Sequence, residues 1–207
     1  MIGDSITDSG RSYDAVPAGW GSYGDGHVAL INACLTGLAP EKQIMVINKG
    51  VNGNTITDLK KRWQKDVLDM RPDWVSIMIG INDVWRQFDA VLQQIEMVDE
   101  TVFEDTYEEL IEMTLPKVKG IIILSPFMIE PNTSDDMRKM LDIYGGIARK
   151  TALKHNLIYV DVQKKIDVFM ESLSPYILSS DRVHPNLPGH MIIAKAFLDG
   201  IAFNWNT

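Results

Sequence analysis

Four short runs of β-branched and other apolar residues punctuate this chain: Gln43–Asn48 (QIMVIN), Trp74–Gly80 (WVSIMIG), Gly120–Ser125 (GIIILS) and Leu157–Val162 (LIYVDV). They are continuous rather than alternating, the pattern of strands buried on both faces. Apolar positions recur with helical spacing over His27–Leu38, Asp58–Met70, Phe103–Val118, Asp135–His155, Val162–Leu173 and Pro188–Phe203. Strand and helix alternate, with successive strands separated by roughly 30 to 45 residues, which calls for right-handed βαβ crossovers. The pattern predicts an α/β fold, a three-layer α/β/α sandwich around a parallel sheet, with ligand sites at the carboxyl ends of its strands.

Composition narrows the class. The 207 residues are 45% hydrophobic and 23% charged, with a mean hydropathy of -0.05, values that exclude disorder and low complexity. No linker or repeat divides the chain, so residues 1–207 are expected to form a single domain. The net charge of -8 argues against nucleic acid and anionic membranes as partners, because phosphate binding needs concentrated Lys and Arg. No apolar run approaches the roughly 18 residues of a membrane span, and no secretory signal pattern is present. The single Cys34 reads as a small buried hydrophobe, and a reducing, cytoplasmic setting is expected. The acidic stretch Glu96–Glu112 reads as a helix N-terminus with a solvated face, and the mixed run Asp58–Asp69 likewise as a solvated face. Met45, Met78 and Met191 fall in strand or helix patterns and read as core.

Candidate chemistry gathers at the predicted strand ends. Gly3-Asp4-Ser5-Ile6-Thr7 places a serine at a strand-to-helix turn, where its hydroxyl and backbone N–H can both face a cleft. Asn48-Lys49-Gly50-Val51-Asn52-Gly53-Asn54 is a Gly/Asn-rich loop in which Gly50 can bring a backbone N–H close to a developing oxyanion. Gly80-Ile81-Asn82-Asp83 offers the Asn82 amide as a further donor. In Asp181-Arg182-Val183-His184-Pro185, an aspartate three residues before a histidine can hold Nδ1–H and turn Nε2 toward a nucleophile. Nucleophile, base, orienting acid and oxyanion donors are together the parts of an acyl-transfer site.

GDSIT, the NxGxxG loop, GxND and DxxHP, in this order, resemble the motif blocks of the SGNH (GDSL) hydrolase superfamily, which implies an SGNH, flavodoxin-like fold. Val46–Asp58, Asp73–Gln87 and Asp181–His190 look like the intracellular SGNH acetylxylan esterases of xylan-using bacteria. The resemblance implies Ser5 as nucleophile, Asp181 and His184 as its partners, and Ser5, Gly50 and Asn82 as the oxyanion hole. Asp4 and Asp83 match positions that are usually structural. It also implies an acetylated oligosaccharide substrate, no metal or cofactor, and a homo-oligomer, for which the stripe Phe197, Ile201 and Trp205 is a candidate contact. A lysophospholipase or thioesterase of the same superfamily, and an inactive carbohydrate-binding protein, are the rival readings.

Other features are weaker. The sequence has neither the G-x-S-x-G elbow nor a Walker A loop. Asp181, His184 and His190 lack helical zinc-ligand spacing. His190 is expected to pack or hydrogen-bond at the start of the last helix, while His27 and His155 lack a carboxylate at useful spacing and read as structural or solvent-facing. Trp85 is a candidate sugar-stacking platform, with Trp20, Tyr13 and Phe127 as further ones. Only Met1 and Ile2 precede Gly3, so the first strand reads as truncated, and the natural protein is expected to begin about ten residues upstream.

Overall fold

In the computed structural model, which describes residues 1–89 and 96–205, five parallel strands form one sheet in the order β2-β1-β3-β4-β5. They are β1 (Ile2–Gly3), β2 (Lys49–Gly50), β3 (Trp74–Met78), β4 (Gly120–Leu124) and β5 (Ile158–Val160). The helices are α1 (Ser5–Asp8), α2 (His27–Leu38), α3 (Ile56–Trp63), α4 (Ile81–Asp89), α5 (Glu100–Thr114), α6 (Asp136–Lys154), α7 (Val162–Met170) and α8 (Leu187–Gly200). Helices α2, α7 and α8 pack together, as do α3, α4, α5 and α6, so the sheet lies between two helical layers. The expected three-layer α/β/α architecture is present, and its first strand is short.

The central strands behave as their patterns predict. Val75–Met78 and Ile121–Leu124 are buried along their lengths, because helices cover both faces of the sheet. The edge differs. Residues 43–48 do not join the ladder; β2 pairs with β1 only at Lys49 and Gly50. Ile47 O accepts from the Met1 ammonium at 2.8 Å, while Gln43 takes a left-handed φ of 50° after a short 3₁₀ turn, and Ile44 and Met45 are exposed. Met191 is also exposed, while Met78 is core. Cys34 is half-buried against the core rather than enclosed in it.

Helix ends follow local chemistry. Thr55 and Asp58 form a reciprocal capping box on α3, and Asp99, Asp135, Asp161 and Asn186 each accept a backbone N–H at the start of α5, α6, α7 and α8. Asp99 confirms the acidic stretch as a helix start. The periodicity did not predict α1 or α4, which are short and carry polar residues on buried faces. His155, expected to lack a carboxylate, pairs with Glu108 across the α5–α6 contact at 2.6 Å.

Two core carboxyls hold helix starts in place. Asp4 Oδ1 accepts Ile6 N–H at 2.9 Å and Asp83 Oδ1 accepts Ile56 N–H at 2.8 Å, while Asp83 Oδ2 is buried without a partner among the described residues. Burial pushes both carboxyls up to about 7, against the hydrogen bonds they accept. A raised carboxyl pKa means that the folded state holds more protons than the unfolded one between about pH 4 and 7, so stability falls as pH rises through that window. Asp83→Asn keeps an acceptor for Ile56 N–H and removes the titration. It is expected to lose less stability between pH 5 and pH 8 than the wild type, a difference on the order of a few kcal/mol, read as a smaller drop in melting temperature in parallel thermal melts at the two pH values.

Candidate active site

Ser5 opens α1 immediately beyond β1. Asp4 caps this turn, leaving Ser5 N–H at a helix start where no intrahelical acceptor exists. Asn48 closes the other end: its amide donates to Thr7 O at 2.7 Å and to Tyr23 O at 2.8 Å. The hydroxyl of Ser5 therefore sits on a turn fixed at both ends.

His184 arrives on the loop before α8, held by buried Val183 and by Ile129 N–H donating to Arg182 O at 2.8 Å. Its Nδ1 lies 2.7 Å from Asp181 Oδ2 and its Nε2 lies 2.9 Å from Ser5 Oγ. A carboxylate can only accept, so Nδ1 carries the proton, Nε2 presents its lone pair, and the Ser5 hydroxyl donates to it. Asp181 Oδ1 accepts from Ser179 Oγ and from the backbone N–H groups of Val183 and His184. Partial burial disfavours the Asp181 charge, but the His184 ring and these donors outweigh it and hold the carboxyl down at about 2. The acid is thus firmly ionised beside the imidazole, and the three side chains form a continuous hydrogen-bonded chain along which the Ser5 proton can pass to His184.

The oxyanion donors require one correction. Gly50 N–H is directed at Asn48 Oδ1, 2.8 Å away, and is not free to face an oxyanion. Glycine is needed there for a different reason: a Cβ on Gly50 would lie 2.1 Å from Asp8 N, so α1 packs directly on the β2 backbone. The other glycine of the loop fits the donor role. Asn54 N–H closes a turn onto Val51 O at 3.3 Å, with Gly53 at φ +75°, the left-handed position of a type II turn. The Asn52 N–H faces the Tyr13 hydroxyl, and neither bond uses Gly53 N–H. Asn82, in the first turn of α4, donates one amide hydrogen to Asn54 O at 3.1 Å and keeps the second. This link brings the Asn82 amide beside Gly53. The signal was in the sequence, as the last glycine of NxGxxG, but the choice between two glycines depends on where each N–H points.

The aromatic candidates separate. Trp85 is half-buried and meets the His184 ring edge-on, with centroids 5.7 Å apart; the Arg86 guanidinium lies over the Trp85 ring, 5.6 Å from its centroid. Trp20 is fully exposed on the loop between α1 and α2. Phe127 is wholly buried in the core, which rules out a stacking role. Tyr13 donates to Asp8 and lies under the Arg11 guanidinium.

Residues behind the nucleophile are organised in ways the sequence pattern hid. His190 Nδ1 accepts the backbone N–H of His27 at 3.2 Å, its Nε2 lies 3.3 Å from Ser9 Oγ, and the two imidazoles stack at 5.7 Å. Burial lowers the His190 pKa to about 4, consistent with an Nδ1 that accepts. These contacts direct His190 away from Asp181, so Asp181, His184 and His190 do not converge as metal ligands. Among the described residues, Glu108, Glu112 and His155 have ligand atoms within 4.8 Å of one another, but Glu108 already accepts from Lys154 and Thr151. Arg62, read as part of a solvated face, instead reaches inward to the ends of β1 and β2.

Known proteins share this arrangement. Residues 1–192 match the model of the GDSL-like Lipase/Acylhydrolase family. An acetylxylan esterase of Geobacillus stearothermophilus is 47% identical over 205 residues, covering 99% of this chain and 94% of that one. Its crystal structure superposes with a TM-score of 0.95 at 46% identity, over 99% of this chain and 93% of that one. An α/β hydrolase from the metagenome of Lake Arreo, Spain, gives the same TM-score and identity over 98% and 93% of the two chains. Variants of the Geobacillus esterase described as catalytic mutants replace a serine, an aspartate and a histidine by alanine. Those three stand at the same intervals along its chain as Ser5, Asp181 and His184 do here. Matched in motif order, in fold and along nearly its full length, this chain belongs to the GDSL-like lipase/acylhydrolase family.

Proposed function

We propose that the protein is a serine esterase that removes acetyl groups from xylo-oligosaccharides through an acyl-Ser5 intermediate, residues 1–207 acting as one hydrolase domain. The observation that carries this reading is the Ser5–His184–Asp181 chain, with contacts of 2.9 and 2.7 Å. Ser5 Oγ attacks the ester carbonyl while its proton passes to His184 Nε2, and ionised Asp181 stabilises the imidazolium. Ser5 N–H, Gly53 N–H and the free Asn82 amide hydrogen face the oxyanion. On collapse, the sugar hydroxyl leaves with the proton from His184. Water, deprotonated by the same imidazole, then releases acetate and restores Ser5.

The preference for an acetylated sugar is supported by the relative's activity and by Trp85, whose ring borders His184 and offers a flat face for a pyranose. Arg86 beside it can donate to ring hydroxyls. No helix among the described residues is long and apolar enough to cross a membrane, and we place the enzyme in the cytoplasm, where short imported oligosaccharides would be its substrates. A homo-oligomer is also proposed. Phe197 is buried in its own core and Ile201 is half-buried, but Leu187, Met191 and Trp205 are exposed along or beside the outward face of α8. Trp205 lies over Lys195, 4.9 Å from its ammonium. This surface is the proposed contact.

Ser5→Ala and His184→Ala are each expected to lower kcat by about 10³-fold or more, and Asn82→Ala by about 10²–10³-fold, with the fold retained; unaltered ester turnover in Ser5→Ala would refute the assignment. Across p-nitrophenyl esters of increasing acyl length, kcat/KM should be highest for acetate. A rise toward sixteen carbons would instead indicate a lysophospholipase or thioesterase, and tight sugar binding without turnover an inactive binding protein. Trp85→Ala should raise KM for acetylated xylo-oligosaccharide several-fold while leaving p-nitrophenyl acetate nearly unchanged. Light scattering at micromolar concentration should give a multiple of the 23.3 kDa chain mass, reduced in Trp205→Ala; a monomeric wild type overturns the oligomer.

A further inference from the structure

The guanidinium of Arg62 joins the segments that carry all three oxyanion donors. Its Nη2 donates to Gly3 O at 3.0 Å, two residues before Ser5. Its Nη1 donates at 2.9 Å to the carbonyl of Lys49, the first residue of β2, which leads into the Gly53 loop. Its Nε donates to Asn54 Oδ1 at 2.7 Å, and Asn54 is both the neighbour of Gly53 and the residue whose carbonyl holds the Asn82 amide. Nη1 also donates to Asp66 Oδ2 at 2.8 Å, and Asp66 in turn takes Lys49 Nζ at 3.1 Å. Arg62 is largely buried, with its side chain 17% exposed, so these bonds are sheltered from water.

No side chain other than arginine can replace this fan. The acceptors lie on three separate segments, and only a rigid planar group with donors on three nitrogens spans them at once; a lysine ammonium has three donors on a single atom. Ser5 N–H, Gly53 N–H and the Asn82 amide come from the ends of three different strands, and the direct link between Asn82 and Asn54 does not reach Ser5. The β1–β2 ladder and Val51 N–H, which donates to Gly3 O at 3.1 Å, join the Ser5 and Gly53 segments, and Arg62 reinforces that joint by donating to the Gly3 and Lys49 carbonyls.

We propose that Arg62 is a positioning residue of the oxyanion hole, fixing the distance between its donors without touching the substrate. The inference rests on the reading of Ser5, Gly53 and Asn82 above. Donors held slightly out of place still admit the planar ester but fit the tetrahedral oxyanion poorly, and a displacement of about 1 Å can cost about 10²-fold in rate.

The test compares Arg62→Lys with wild type and with Lys60→Ala, which removes an exposed residue of the same helix whose ammonium pairs with Glu109. Arg62→Lys is expected to lower kcat on p-nitrophenyl acetate by about 10- to 100-fold with KM changed less than about threefold, and to weaken inhibition by a boronic acid, which forms a tetrahedral adduct on Ser5, by a similar factor. Lys60→Ala should match wild type. In Arg62→Ala, added guanidinium chloride at millimolar concentration should restore part of kcat, whereas sodium chloride at equal ionic strength should not. Asn54→Ala, which removes one of the four acceptors, should fall between wild type and Arg62→Lys and covers the case in which the arginine variants fold poorly. Loss of turnover in Ser5→Ala in the same assay tests the active site independently. With that loss observed, wild-type kcat in Arg62→Lys, or equal weakening of KM and boronate inhibition, overturns the role of Arg62 alone.

Discussion

The site depends on how closely three backbones approach one another around β1. A Cβ on Gly3 would lie 2.4 Å from Met78 O and from Thr7 Oγ1, and one on Gly50 would lie 2.1 Å from Asp8 N. Neither position tolerates a side chain, so β1 is clasped between β2 and β3 while α1 rests on the carboxyl end of β2. That contact sets the height and direction of Ser5 above the sheet. Asn48 turns the contact into a fixed joint, donating to the carbonyls of Thr7 and Tyr23 while accepting Gly50 N–H. A buried side chain with its donors and acceptor all engaged resists displacement, because each broken bond would leave a buried polar group unpaired.

Three aspartates near Ser5 show how environment divides one residue type into different tasks. Asp4 and Asp83 are enclosed by the core, and desolvation moves their carboxyls up to about 7. Each serves the backbone, through Ile6 N–H and Ile56 N–H. Asp181 is partly open to water and surrounded by donors, and its carboxyl stays ionised down to about 2. Full negative charge is therefore concentrated at the carboxylate that faces the imidazole, where proton transfer from Ser5 generates a positive charge. Groups of one chemical kind driven apart in pKa are a recurrent means of assigning catalytic roles.

Behind this front, His27, His190 and Ser9 link α1 to α2 and α8. Burial, together with the neighbouring His190 ring, holds the His27 pKa well below the usual imidazole range. Helix α8 follows directly from the His184 loop, so the same contacts connect the nucleophile's turn to the element that carries its base. Rigid support from both helical layers is what a site requires when its donors must match a transition state closely.

The sequence by itself determined the strand–helix alternation, both well-paired central strands, most helix boundaries and the motif residues Ser5, Asn82, Asp181 and His184. These are local signals: continuous apolar runs for doubly covered strands, capping residues, and polar residues at strand ends. Where local preference and neighbours disagreed, only the tertiary structure decided. Residues 43–48 have a strand's composition but stay outside the ladder, with Ile44 and Met45 exposed, and Phe127 has a platform's chemistry but lies inside the core. Gly50 and Gly53 are equivalent as letters; the first is required for close packing against α1 and the second leaves an N–H available. Arg62 sits in a run of charges that reads as a solvated face, yet its guanidinium meets carbonyls from two strands. Hydrogen-bond direction and close contact across the chain are three-dimensional quantities, and no pattern along one dimension encodes which of two donors is already engaged.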